Sequence, residues 1–187
     1  ILIDGVPLSE LDFRAWRSEI GLILQDIFLF PGSILENVRV YNDNVSDAQV
    51  SNAVSIVQLD DFIHQLDKGL DSELAERGQN ISQGEKQLIS FARALAFKPE
   101  LIIMDEATAS IDPQTEAKIQ RTMLEVLSGK TAVIVAHRLT SVLGANQILF
   151  FKDGEIIDRG RHEQLIKSSV QYRKLVELQL LSGVEHE

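Results

Sequence analysis

Two adjacent carboxylates, Asp105 and Glu106, close an otherwise apolar run, "LIIMDEA". Acids at the end of a buried strand are costly unless paired or metal-bound, and in α/β sheets ligands bind beyond the carboxyl ends of strands. Asp105 suits a magnesium ion, directly or through water. Glu106 is placed to accept a proton from an attacking water. The alternative is a strand that simply ends in two solvated acids. A second candidate is "ISQGE", in which Ser82 and Glu85 have the spacing of a capping box. Leu88, Phe91, Ala92 and Leu95 follow at i, i+3, i+4 and i+7, one apolar helical face. Gly84 lies inside the first turn, where glycine costs about 1 kcal/mol relative to alanine. A glycine there permits close approach to the backbone, and a helix N-terminus favours an anion such as phosphate. His137 ends "TAVIVAHR", where it could contact a phosphate oxygen or position water, and Gln25 ends "GLILQ". Taken singly, both read as polar residues marking strand ends.

Composition narrows the classes that can use these groups. With 187 residues, 44% of them hydrophobic, the chain can bury one sizeable core, with room for a subdomain. A formal charge of −10 argues against a broad nucleic-acid or anionic-membrane surface, though not against a local anion site built from backbone amides. There is no cysteine, which excludes disulfides, thiolate metal sites and cysteine nucleophiles. His64, His137, His162 and His186 are scattered without metal-ligand spacing. No apolar run approaches the ~20 residues of a membrane-spanning helix, and the first residues lack the regions of a signal peptide. The chain opens on "ILIDG" without a methionine and reads as a piece of something longer.

The elements that must position these residues follow from the patterning. "ILIDG" is a short strand and turn, "LDFRAWRSEI" a short helix, and "GLILQD" a strand leading into Gln25. From Ile27 to Lys98 the character is helical. Ser33 can cap "ILENV", Ser46 and Gln49 form a second capping box, and "LDDFIHQL" is a further short helix. "KGLDSELAERGQN" reads as a loop before the helix that begins at Ser82 and is ended by Pro99. "LIIM" and "TAVIVA" are continuous apolar runs expected to be strands buried on both faces. Asp112 and Pro113 offer the cap and first turn of a helix running to about Leu127. "QILFFKDGEIIDRG" is a hairpin with Asp-Gly at its turn, and two helices close the chain. Alternating strands and helices imply an α/β core, interrupted by a helical insertion at 27–98.

The ordered set of Gln25, "ISQGE", "LIIMDE", "ASID" and His137 resembles the nucleotide-binding domain of ATP-binding cassette (ABC) transporters over nearly the whole chain. "ISQGE" is similar to the family's signature motif, commonly LSGGQ. "LIIMDE" resembles the Walker B strand with its catalytic glutamate, and "ASID" the D-loop. Gln25 matches the Q-loop and His137 the switch histidine. "FLFPGSILENV" and "ELAERG" resemble the post-Q-loop segment and the X-loop of exporters, with Glu76, Arg77 and Gly78 in matching positions. In the family those loops face the coupling helices of the transmembrane domain.

The resemblance implies a P-loop NTPase-like (RecA-like) core sheet with an inserted α-helical subdomain, truncated at its N-terminus. Residues 1–26 would be a remnant of the N-terminal core up to the Q-loop, 27–98 the helical subdomain, and 99–187 the core with Walker B, D-loop and switch histidine. It implies Glu106 and His137 as catalytic, and Gln25, Ser82, Gln83, Gly84, Glu85 and Asp112 as ATP-binding. Asp105 and Gln25 would hold Mg2+. The implied partners are a second nucleotide-binding domain, identical or different, arranged head to tail, and a transmembrane domain on the same polypeptide. No nucleic acid is implied, and the place is the cytoplasmic face of a membrane.

Two departures stand out: Gln83 replaces the first signature glycine and Glu85 the usual glutamine, whereas Ser82 and Gly84 are kept. Glu85 sets a negative charge near a phosphate site unless the capping box uses it. No G-x-x-x-x-G-K-S/T string occurs in the 187 residues. In the family that P-loop lies upstream of "ILIDG", and its loss would leave part of the sheet uncovered. ATP binding by these residues alone is therefore expected to be weak or absent. Two other readings are a soluble ABC ATPase acting on DNA or ribosomes, and a non-catalytic fragment that only associates with a partner. The acidic balance and the exporter-like loops speak against the first, and intact Glu106 and His137 against long degeneracy in the parent protein.

Overall fold

The computed structural model describes residues 1–105, 113–136 and 139–184, in two compact units, Ile1–Ile134 and Val135–Glu187. Glu106, the "ASID" stretch that ends in Asp112, and His137 therefore lie outside the described residues.

The first unit opens with a hairpin, β1 (Leu2–Ile3) and β2 (Val6–Pro7), followed by α1 (Phe13–Ser18) and β3 (Ile20–Ile23). Asp12 caps α1, its carboxylate accepting from the amides of Arg14 and Ala15 at 2.9 and 2.8 Å. A short strand β4 (Gly32–Ser33) leads into α2 (Ile34–Arg39), α3 (Asp47–Ile56) and α4 (Asp60–His64). Next come β5 (Glu73–Leu74), α5 (Gln83–Ala96), β6 (Leu101–Asp105), α6 (Pro113–Leu127) and β7 (Thr131–Val135). The stretch read as a loop before α5 thus contains a strand, and β5 pairs antiparallel with β4.

All three serine caps form as the local sequence requires. Ser33 with Glu36, Ser46 with Gln49, and Ser82 with Glu85 each make both bonds of a capping box. In the first, the Glu36 amide donates to Ser33 Oγ at 3.1 Å and the Ser33 amide to Glu36 Oε2 at 2.8 Å. Ser33 is buried, so water cannot replace the lost partner. Ser33→Ala is expected to destabilise the fold by about 1–2 kcal/mol, measured by urea unfolding followed by circular dichroism.

The central sheet has the order β3-β6-β7, with β3 and β6 parallel and Ile23 opposite Met104. Side chains alternate across a sheet, and here the two faces differ. Ile23, Ile102 and Met104 are buried in one core with Leu88, Phe91, Ile119 and Met123. On the opposite face Leu101 and Ile103 of β6 are half-buried, whereas Leu22 of β3 is 52% exposed and Val133 of β7 is 53% exposed, so the expectation of burial on both faces fails outright for "TAVIVA" and is only partly met by "LIIM". An apolar run reports that a strand is able to be covered on both sides.

In the second unit β8 (Ile148–Lys152) and β9 (Glu155–Gly160) form the expected hairpin, with Asp153 and Gly154 at φ 50 and 82. α7 (His162–Ser168) and α8 (Val170–Val184) follow. A small core joins Ile148, Leu165, Tyr172 and Val176. Tyr172 is 2% exposed, its hydroxyl lies 2.9 Å from His162 Nδ1, and burial raises its phenol above the ordinary pKa. Among the described residues no helix is long and apolar enough to cross a membrane.

Candidate functional site

β3 and β6 are adjacent parallel strands, so their carboxyl ends lie at the same edge of the sheet. Asp105 ends β6, half-buried, one residue beyond Met104. Gln25 is exposed, two residues beyond Ile23. The strand pairing therefore brings both residues to the end where ligands of α/β sheets bind. Among the described residues no cluster of three or more acids and histidines could cage a metal. Magnesium does not require one: it is held through one or two carboxylates while keeping waters and substrate phosphates as its other ligands. Asp105 with the amide oxygen of Gln25 fits that donor set.

The start of α5 is the second part of the site. Ser82 Oγ accepts from the Glu85 amide at 3.2 Å, and the Ser82 amide donates to Glu85 Oε2 at 2.7 Å. The carboxylate of Glu85 is thus turned back on its own helix start, and the capping box uses the charge that the sequence set there. Helix geometry leaves the amides of Gln83 and Gly84 without intrahelical acceptors. Ser82 and Gln83 are exposed and Gly84 is buried. A Cβ on Gly84 would lie 2.2 Å from Thr115 Cγ2 on α6. The glycine is therefore demanded by helix packing, whatever else approaches that turn.

Behind this turn the structure joins stretches far apart in sequence. Arg93 of α5 donates from Nη1 to the Phe28 carbonyl at 2.8 Å and from Nε to the Asn37 carbonyl at 2.9 Å. Its Nη2 also donates to Asn37 Oδ1 at 3.2 Å. The segment after Gln25 is in this way held against α5. Gly78, at φ 63, packs so closely that a Cβ there would meet Leu29 Cδ1 at 2.8 Å. Glu76 and Arg77 beside it are exposed in a 3₁₀ turn. The two stretches "FLFPGSILENV" and "ELAERG" are therefore neighbours, joined also by the pairing of Gly32 with Leu74. Sequence patterning did not single out Arg93, Asn37 or Thr115. The one available signal was a lone arginine between Ala92 and Ala94 in an otherwise apolar stretch.

The geometry agrees with what the chain is similar to. The ABC transporter family matches over residues 1–109. An uncharacterized ABC transporter ATP-binding protein, YknV of Bacillus subtilis (strain 168), is 45% identical over 185 residues, 99% of this chain and 31% of the relative. YheH of the same organism, a probable multidrug resistance ABC transporter ATP-binding/permease protein, is 42% identical over 186 residues, 100% of this chain and 27% of the relative. The structure of a bacterial Atm1-family ABC exporter with ATP bound superposes with a TM-score of 0.84 at 34% identity. That superposition covers 95% of this chain and 31% of the exporter chain. The chain thus spans about a third or less of the length of these relatives. Its mixed α/β fold with a parallel sheet is that of exporter ATP-binding domains. The motifs, the strand ends they occupy and the family match lead to one conclusion: the chain belongs to the ABC transporter family, within its ATP-binding domain.

Proposed function

We propose that these residues form part of the ATP-hydrolysing domain of an ABC exporter, coupling ATP turnover to movement of a transmembrane domain on the same polypeptide. The observation that carries the reading is the joint placement of Asp105 at the end of β6 and the capped Ser82–Glu85 turn at the start of α5, in a chain of this family. In this reading residues 1–26 and 99–187 belong to the core and 27–98 to the helical subdomain. Asp105 and Gln25 hold magnesium, which neutralises phosphate charge when bound. Glu106 takes the proton of the attacking water, and His137 contacts the γ-phosphate. Ser82, Gln83, Gly84 and Glu85 serve an ATP carried by a second, head-to-tail domain, with Asp112 beside the same interface. The exporter assignment is supported by the adjacent Phe28–Val38 and Glu73–Gly78 stretches, by the ATP-binding/permease name of YheH and by the likeness to an Atm1-family exporter. The working position is the cytoplasmic face of a membrane.

The test compares the complete gene product in membranes with the 187-residue chain. Mg-ATP turnover is expected from the first. The second, which contains no P-loop string, is expected to show no stoichiometric ATP binding by calorimetry. Tight binding by the 187 residues, or no turnover by the complete product, would refute the reading.

A further inference from the structure

We propose that Thr115 is a positioning residue for the Ser82–Glu85 turn: its methyl group sets how closely the first turns of α5 and α6 approach, and residue 84 is glycine because of that methyl. A Cβ on Gly84 would lie 2.2 Å from Thr115 Cγ2 but 3.6 Å from Thr115 Cβ and 3.9 Å from its Oγ1. The conflict is therefore with one atom. Contacts of 3.6 and 3.9 Å are ordinary, and serine at 115 would remove the methyl while keeping the hydroxyl. Threonine is branched at Cβ and restricted at χ1 in a helix, so the methyl cannot swing aside without exchanging places with the hydroxyl. Packed interiors pass such a clash on to the backbone. In Gly84→Ala, α5 must move away from α6. The amides of Gln83 and Gly84, which have no intrahelical acceptor, would move with it.

The inference rests on the proposed function where it takes that turn to serve ATP, whereas the packing itself does not depend on it. The experiment uses the complete gene product with Gly84→Ala, Thr115→Ser and the double substitution, read by melting temperature and by the KM and kcat for Mg-ATP well below melting. Gly84→Ala is expected to lower the melting temperature and to raise KM at least tenfold, equivalent to about 1.4 kcal/mol of lost interaction. Adding Thr115→Ser is expected to restore both, with KM within about threefold of Thr115→Ser alone, a coupling characteristic of residues in contact. A contact that only maintained the fold would leave KM unchanged at temperatures where every variant is folded. Recovery of melting temperature without recovery of KM overturns the positioning role. Absence of any coupling in either readout overturns the packing as well. If the unsubstituted product turns over no ATP, the proposed function and the positioning role fall together. The melting-temperature cycle then still decides the packing.

Discussion

Glu106→Gln in the complete gene product is expected to reduce ATP turnover by about 10²–10⁴-fold, the usual contribution of a positioned general base, while ATP binding is retained. Glu106 directly follows Asp105, the last residue of β6. In the proposed reading the two acids have different tasks, Asp105 holding the metal and Glu106 taking a proton from water. Glutamine keeps the size and hydrogen-bonding capacity of the side chain but cannot take a proton. Binding is expected to be spared because the proposed reading assigns the phosphates to other groups. Phosphate release under saturating ATP, measured beside retention of nucleotide, separates the two effects. Near-normal hydrolysis in the variant would remove Glu106 from the role assigned to it.

Arg93→Met is expected to destabilise the chain by about 3 kcal/mol, since hydrogen bonds to charged groups contribute roughly 1.5–3 kcal/mol each and are not additive. The guanidinium makes its bonds to two main-chain carbonyls and to Asn37 Oδ1. Burial pushes its pKa below the ordinary value for arginine, yet arginine stays charged at any pH at which proteins fold. Its Asn37 acceptors are themselves part of a buried network. Asn37 is 0% exposed, donates to the Phe30 and Ser33 carbonyls at 2.9 and 3.0 Å, and accepts from the Phe30 amide at 2.9 Å. Removing Arg93 leaves the part-buried Asn37 carbonyl and Oδ1 short of a donor, whereas the more exposed Phe28 carbonyl can turn to water. Arg93→Lys should recover only a part, because one ammonium cannot reproduce the planar fork that serves Phe28 and Asn37 together. Urea unfolding followed by circular dichroism measures both. A loss below about 0.5 kcal/mol, the range of ordinary surface changes, would show that the network does not anchor the Phe28–Asn37 segment.

The local elements were determined by the sequence alone. Ser33, Ser46 and Ser82 start helices because each finds its partner three residues later, and a bond that short needs no tertiary fold. The Asp153-Gly154 turn forms for the same reason. Family membership was also legible, through the order of Gln25, "ISQGE", "LIIMDE" and His137 along the chain. Only the tertiary structure decided what those elements meet. "TAVIVA" was expected to be covered on both faces, but Val133 and Val135 stand exposed, because burial depends on what packs against a strand. Arg93 finds its acceptors 56 and 65 residues away. Gly84 owes its lack of a side chain to the methyl of Thr115 on another helix. Short-range hydrogen bonds and periodicity are written residue by residue, whereas close packing depends on which distant side chains share a volume, and that is set only when the chain has folded.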